Sequence, residues 1–415
     1  MLVLRSRWIL PIADRPLLNG WVALDRGRVA AVGRAGAALP FRGDAPLVDL
    51  GEMAILPALT NAHTHLELSW LHGRIPRAER FTEWLRAQLG IRRTAPPSAE
   101  DVTASIRSAI AQVHATGTGF VGDVSNTLAT VDLLRGSLLK GVVFHELVRF
   151  RAADADAVLE QGLKALDGFG PSSRVSLSLA PHAPYSVSPL LFQGIRSAVA
   201  RLPMVPSTVH LAESVEEVEF LRSGDGPCRE LLQDLGAWDP SWKAPNCGPV
   251  EYLARMKILG PRLLVVHGTQ FTDDDLLRLK QSGAILVTCA RSNQYVGAGD
   301  PPVGRFYDAG VTVAIGTDSL ASNDDLNMFS ELAALRRLAP EVRASSLLWS
   351  ATRGGARALG FDAEAGTIEP GRGTGLIAVD LPPEVVDVEE YLVSGVPADR
   401  VHWVDTMLGP HLRYA

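Results

Sequence analysis

The feature that most constrains this chain is a procession of eight short apolar runs through its middle, each ending in a polar residue and followed by a stretch of helical character. The runs are 54–62 into His63, 119–122 into Asp123, 141–144 into His145 and Glu146, 175–180 into His182, 205–209 into His210, 263–266 into His267, 284–289 into Arg291 and 311–316 into Asp318. Apolar runs of this length bounded by breakers read as strands, and strands alternating with helices pair in parallel. Eight βα units predict an α/β fold, a closed (β/α)8 TIM barrel whose C-terminal rim gathers the polar strand ends into one site.

The two ends of the chain have a different texture. Residues 2–50 carry short strand-like segments broken by glycines, and the tail from Gly366 reads the same way. Both flank the barrel, so they are expected to pair into one small β-sandwich, residues 1–55 with 360–415, beside a barrel of residues 56–359. Two barrel connections are long, from His65 to the second strand and from Ser214 to about Pro261. Long loops on this rim are where substrate selection usually sits. The first carries Phe81 and Trp84, the second Trp238 and Trp242; these aromatics either pack an irregular loop or form a lid.

Lys and Arg number 40 against 46 Asp and Glu, a formal net charge of −6 without any basic run. Neither nucleic acid nor a membrane surface is therefore expected as a partner. The ligand is expected to be a small molecule, with homo-oligomerisation left open. Cys228, Cys247 and Cys289 are odd in number and outside any C-x-x-C pair, which points to free thiols in a reducing compartment, the cytoplasm. No apolar run approaches the roughly 18 residues of a membrane span, and Arg5 and Arg7 interrupt the N-terminal one, so no export signal is expected.

Asn61-Ala-His63-Thr-His65 sets two imidazoles two residues apart at a strand end, so both face the barrel interior. A lone pair of this kind is usually structural. With His210 and Asp318 ending two other strands, however, three imidazoles and a carboxylate make a donor set for one divalent ion, Zn2+ by preference or Fe2+, with a position left for water. His210-Leu-Ala-Glu213 adds a carboxyl just beyond that set, the right type for a general acid and base, although a Glu at a helix N-terminus is also favoured by the dipole. His267 is expected to hold the attacking water or polarise the reacting centre, with a further metal ligand as the rival reading, and His182 to contact substrate.

Gly117-Thr-Gly119-Phe-Val-Gly122 matches a dinucleotide-binding pattern by letters only. Such glycines must follow a strand and open a helix, whereas here a helical stretch precedes them and a strand follows. His72, His114, His402 and His411 lie off the strand ends and read as surface or structural.

Three segments carry a family resemblance. Leu56-Pro-Ala-Leu-Thr-Asn-Ala-His-Thr-His65 is similar to the first-strand motif of the amidohydrolase superfamily, His210 to Glu213 to its fifth-strand H-x-x-E, and Gly316-Thr-Asp-Ser-Leu-Ala-Ser-Asn-Asp-Asp-Leu326 to its eighth-strand signature. The likeness is to the branch of cytosine deaminases, S-adenosylhomocysteine deaminases and chlorohydrolases, and it covers nearly the whole chain. It implies a metal-dependent hydrolase barrel, metal ligands His63, His65, His210 and Asp318, and catalytic Glu213, His267 and Asp318. Binuclear members bridge two ions with a carboxylated lysine or a Glu; residues 174–186 hold no Lys, and Glu146 is the one candidate bridge, so a single ion is expected. The seventh strand departs from the usual H-C-P-x-S-N, reading Thr288-Cys-Ala-Arg-Ser-Asn293, and residues 88–97 offer no match for the branch's ribose-binding Glu.

Within the branch, His65-Leu-Glu-Leu-Ser69 and Phe144-His-Glu-Leu-Val148 most resemble the aminodeoxyfutalosine deaminases of menaquinone biosynthesis. The implied reaction has a metal-activated water lose a proton to Asp318 and attack C6 of an aminopurine, with Glu213 protonating the ring nitrogen and ammonia leaving. His182, Glu146, Arg149, Trp84, Arg291 and Asn323 are the expected substrate contacts, with Arg151 and Trp238 as further candidates for the acidic 5′ extension. The alternatives are deamination of S-adenosylhomocysteine, methylthioadenosine or adenosine, and chlorohydrolase-like hydrolysis of another heterocycle.

Overall fold

The computed structural model describes residues 1–37, 45–202, 205–373 and 375–408, so His411 lies outside the described residues. The expected barrel is present. Strands β1 (Leu59–Thr64), β2 (Thr118–Ser125), β3 (Lys140–Leu147) and β4 (Val175–Pro181) pair in parallel in that order. Strands β5 (Ser207–Leu211), β6 (Leu263–His267), β7 (Ile285–Thr288) and β8 (Thr312–Ile315) form a second parallel set.

Two seams close the ring. Between β4 and β5 the His210 N–H donates to the His182 carbonyl at 2.9 Å and the Ser207 hydroxyl to the Leu179 carbonyl at 2.7 Å. Between β8 and β1 the Asp318 N–H donates to the His63 carbonyl at 3.0 Å, and the Asn61 amide donates to the Thr317 hydroxyl at 2.7 Å. Gly316 is required at this seam because a Cβ there would stand 2.7 Å from the His63 carbonyl oxygen. Val124, Phe144, Leu264, Val266, Val287 and Ala314 fill the barrel interior. Burying a side chain such as Phe144 contributes about 1.5–3 kcal/mol. Ser98, Ser188, Ser214 and Thr272 start helices by accepting the backbone N–H three residues on, roughly 1 kcal/mol each.

The first expected strand is corrected. The run 54–62 is two strands broken at Ala58, whose N–H leaves the barrel to donate to Gly375 at 2.9 Å. The first half, Met53–Pro57, lies antiparallel to Leu376–Asp380, in a five-stranded sheet with Val401–Trp403, Trp8–Ile9 and Leu17–Leu18. It therefore runs past the boundary expected at residue 55. Continuous burial hides the division, since both halves are apolar for different partners. A second sheet holds Arg28–Gly33, Trp21–Asp25, Leu2–Arg5 and Leu47–Asp49, and Leu4, Val22, Ile55, Leu376 and Ala378 belong to one apolar filling between the sheets.

The long loops build a second apolar core on the barrel rim. Helix α1 (Phe81–Thr94) contributes Phe81 and Trp84, the β3 and β4 loops Phe150 and Tyr185, and the β5 loop Phe220, Trp238 and Trp242. Phe220 stacks on Trp242 with centroids 4.6 Å apart, and Phe150 on Trp238 at 5.7 Å. Cys228, Cys247 and Cys289 are free and buried, and among the described residues no helix is long and apolar enough to cross a membrane.

Candidate active site

The strand ends converge as the alternation of side chains requires. His63 and His65, two residues apart on one strand face, meet His210 from β5, His267 from β6 and Asp318 after β8. His65 Nε2 lies 3.3 Å from His210 Nε2, and Asp318 Oδ1 lies 3.8 and 3.6 Å from the Nε2 atoms of His63 and His65. Two donor triples, His63–His210–His267 and His63–His65–Asp318, have their ligand atoms within 4.8 Å of one another. Ala212, His267 and Asp318 have φ of 51°, 77° and 59°. Left-handed non-glycine backbone costs roughly 1–3 kcal/mol per residue, and here it turns the chain at the ends of β5, β6 and β8 where the side chains meet.

Surrounding groups fix which atoms face inward. His210 Nδ1 donates to the His182 carbonyl at 3.0 Å, leaving Nε2 as the free base. Asn293 gives its amide to the Thr269 hydroxyl, so its Oδ1 accepts from His267 Nδ1 at 2.7 Å and His267 Nε2 turns toward the site. Ser292 donates to Asp318 Oδ2 at 2.5 Å and leaves Oδ1 to the imidazoles. Burial first, then mutual repulsion, holds His63 well below the ordinary imidazole range and pushes His182 to about 3. His210 also goes to about 3, burial outweighing the opposing Glu146. Burial raises the Asp318 carboxyl, but His65, His267 and Ser292 outweigh it and leave it lowered.

The site thus sets the buried imidazoles of His63, His210 and His267, which burial keeps neutral, beside an ionised carboxylate. Among the described residues, both ring nitrogens of His63 lack a hydrogen-bond partner. A buried polar atom left so costs about 1–3 kcal/mol, and a divalent cation is what this nitrogen and oxygen set would satisfy. A third triple, Glu146–His182–His210, shares His210. Its His210 atom facing Glu146, at 3.5 Å, is the Nδ1 already committed as a donor to the His182 carbonyl.

Glu213 lies in the turn after β5 with Oε1 3.6 Å from His267 Nε2, and it is buried. Burial, then Asp318, Glu217 and Glu216, push its carboxyl well above the usual range, so it holds a proton it can give.

Beside the cluster opens a cavity of about 710 Å³ with Glu146, His182 and Tyr185 among its lining residues. Asn126 donates to Glu146 Oε2 at 2.8 Å, and the His182 ring lies 5.0 Å from that of His210. One wall is a stripe of α1, Leu85, Gln88, Leu89 and Arg92; others are Leu147, Phe150, Leu231, Leu232 and Leu235. Arg149 lines the mouth, exposed and 3.7 Å from Asp154.

Three expected substrate contacts are corrected. Trp84 is buried in the rim core, and neighbouring positions of the same helix line the cavity instead. Arg291 reaches Asp325 through Nη1 at 2.8 Å and Nη2 at 3.2 Å, in a different hollow shared with Gln112 and Arg337, because the chain enters a helix (Ala290–Tyr295) directly after β7 and that helix carries the side chain away from the barrel mouth. Asn323 is buried and donates to the Thr317 carbonyl, holding the loop after β8. Arg151 donates to the Gly236 carbonyl at 2.5 Å, bridging two rim loops. Asn126, Gln88, Arg92 and Tyr185 were not foreseen; for the helix, the spacing 85, 88, 89, 92 was the available signal. His72 is exposed, His114 stacks on Trp403 at 4.5 Å, and His402 pairs with Asp380 at 2.8 Å, all away from the site.

The amidohydrolase family model matches residues 54–403. The chain belongs to the amidohydrolase family. A 5-methylthioadenosine/S-adenosylhomocysteine deaminase of Halobacterium salinarum is 31% identical over 398 residues, 91% of this chain and 84% of that protein. The amidohydrolase also superposes on an adenosine deaminase of Xanthomonas campestris with bound zinc, at TM-score 0.79 and 27% identity over 96% of this chain and 90% of that one. Against Helicobacter pylori aminofutalosine deaminase in complex with methylthio-coformycin the TM-score is 0.83 and the identity 25%, over 97% of this chain and 98% of that one. This amidohydrolase is accordingly a hydrolase acting on C–N bonds of a small molecule.

Proposed function

We propose that this amidohydrolase exchanges the 6-amino group of an adenine nucleoside for the oxygen of water, releasing ammonia, and that its substrate is 6-amino-6-deoxyfutalosine in the route to menaquinone. The observation that carries the reading is the buried, proton-holding Glu213 set 3.6 Å from His267 at the edge of the imidazole cluster. Amine departure needs a proton delivered to the leaving nitrogen, which departure of chloride does not.

His63, His65, His210 and Asp318 would hold one divalent ion, zinc by first choice, which when bound lowers the pKa of water toward 7. Asp318 Oδ1, the oxygen that Ser292 leaves open, takes the proton of the attacking water. His267, with Nδ1 committed to Asn293, presents Nε2 to steady that water. Glu213 gives its proton to the ring nitrogen as C6 becomes tetrahedral; Asp318 then passes the proton it took from water to the amine, which leaves as ammonia, and the C6 hydroxyl proton returns to Glu213 as the carbonyl forms. Glu146, oriented by Asn126, and His182, oriented by the Ser186 hydroxyl at 2.5 Å, contact the nucleoside.

For the substrate, the support is the composition of the cavity. Leucines and Phe150 offer an apolar bed for an aryl ring, and its charged lining groups other than histidines are Arg92, Arg149 and the inner Glu146. An S-adenosylhomocysteine tail ends in an ammonium as well as a carboxylate, and among the described residues the one carboxylate in the cavity lining is the inner Glu146, while Asp154 outside the lining faces Arg149. The kinship with the Halobacterium deaminase favours that substrate as the second reading. Competition kinetics decide: 6-amino-6-deoxyfutalosine is expected to show a kcat/KM at least about ten times that of adenosine, methylthioadenosine and S-adenosylhomocysteine, about 1.4 kcal/mol in transition-state binding. Equal or better turnover of S-adenosylhomocysteine would install the second reading, and no ammonia from any of them would overturn deamination.

A further inference from the structure

We propose that Arg92 is the residue that selects substrates bearing an anionic group on the 5′ substituent of the nucleoside, a carboxylate in the first instance. The proposal rests on the functional reading above and asks which group in the cavity reads the far end of the substrate.

Four arginines lie near enough by sequence or place to be candidates, and three already face a partner. Arg149 is exposed and faces Asp154 at 3.7 Å, Arg151 donates to the Gly236 carbonyl, and Arg291 is held by Asp325 in another hollow. Arg92 is half-buried, lines the cavity and has no ion pair or hydrogen bond among the described residues. A guanidinium carries five donors in a planar fork that suits a carboxylate, and taking it partly out of water without a partner is costly. A bound anion removes that cost.

The helix explains how Arg92 comes to stand there. Leu85, Gln88, Leu89 and Arg92 follow the i, i+3, i+4, i+7 spacing of one face, and that face is the cavity wall. Phe81 and Trp84 anchor the same helix in the rim core, so the stripe is presented on a fixed support. Arg92 also lies in the last turn, where a cation complements the helix dipole and is stabilised without an acidic neighbour. An acid held by Arg92 through the apolar stretch of Leu85 and Leu89 would leave the purine end toward His182 and Glu146.

The test compares the holoenzyme with Arg92→Gln, Arg92→Lys and Arg149→Gln, each checked for fold by thermal melting. Substrates are 6-amino-6-deoxyfutalosine, 5′-AMP, methylthioadenosine and adenosine. In Arg92→Gln the kcat/KM ratio of the carboxylate substrate to adenosine should fall at least about tenfold, chiefly through KM, with Arg92→Lys between the two; a salt bridge in a partly dry site is worth that much. If 5′-AMP instead shows the larger loss, the anion read is a phosphate and the carboxylate assignment is overturned. An unchanged ratio in Arg92→Gln, or a larger loss in Arg149→Gln, overturns Arg92 as the selector while deamination stands. Failure of the unmodified enzyme to deaminate any of the four overturns the functional reading and the Arg92 assignment with it.

Discussion

Glu217 accepts the backbone N–H of Ala212 at 2.9 Å, and its other oxygen accepts that of Glu213 at 3.1 Å. Its own N–H is held by the Ser214 hydroxyl at 3.3 Å, and the side chain is fully buried. The carboxyl therefore braces the left-handed turn at Ala212 that aims Glu213 at the site. Glu217→Gln replaces one of the two acceptors with a donor facing an N–H. We expect kcat to fall about 10–100-fold with metal content retained, a loss of about 1–3 kcal/mol. Made in a Glu213→Gln background, the same change should cost less than about threefold, because the group being positioned is already gone. Full additivity in that cycle would show that Glu217 acts only on the fold.

Glu213→Gln itself should keep metal and bind substrate while losing turnover by roughly 10²–10⁴-fold, the scale of a general acid–base group. Loss of the ion in this variant, read by elemental analysis, would make Glu213 a ligand and end the proton-transfer role assigned to it.

Metal stoichiometry follows from the state of one nitrogen. His210 Nδ1 donates to the His182 carbonyl, so the triple with Glu146 cannot use it for a second ion without losing that bond. About one ion per chain is expected after loading with excess zinc. His210→Ala should lose the ion and activity while circular dichroism still reports the barrel, since packing depends on residues such as Phe144 and Val266 below the rim. Two tightly held ions would contradict the single-site reading.

Glu331 gives a pH dependence of stability away from the site. It is buried in the helix Met328–Leu338, with Oε1 accepting the Arg291 N–H at 3.0 Å and Oε2 3.9 Å from Arg291 Nε but without a hydrogen-bond partner among the described residues. Burial, opposed by Arg291, raises its carboxyl to about 8. The folded chain then keeps a proton that the unfolded chain releases above its ordinary value, about 4.3, so unfolding releases a proton throughout that interval. Stability should fall as pH rises from about 4.3 to about 8, and Glu331→Gln should flatten that part of the Tm-versus-pH curve. An identical slope in the variant would place the proton on another group.

What could be read from the residues was whatever depends on period and on single strand ends. Apolar runs alternating with helices were enough for the eight strands, and residues that end strands of one barrel must meet at its rim, so His63, His65, His210, His267 and Asp318 were legible as a set. The same logic failed where burial is continuous: nothing in residues 54–62 distinguishes the half that pairs with Leu376–Asp380 from the half that enters the barrel. It failed again in the loops. Trp84 and Arg92 sit on one helix, and only the packing of that helix against Tyr185, Phe150 and the β5 loop decides that Trp84 is buried and Arg92 faces the cavity. Arg291 ends a strand run like the ligands do, yet the helix that follows β7 carries it to Asp325. Local sequence determines periodicity and the kind of group at each strand end. Which face of an irregular segment meets the cavity depends on contacts among residues far apart in the chain, and only the tertiary structure decides those.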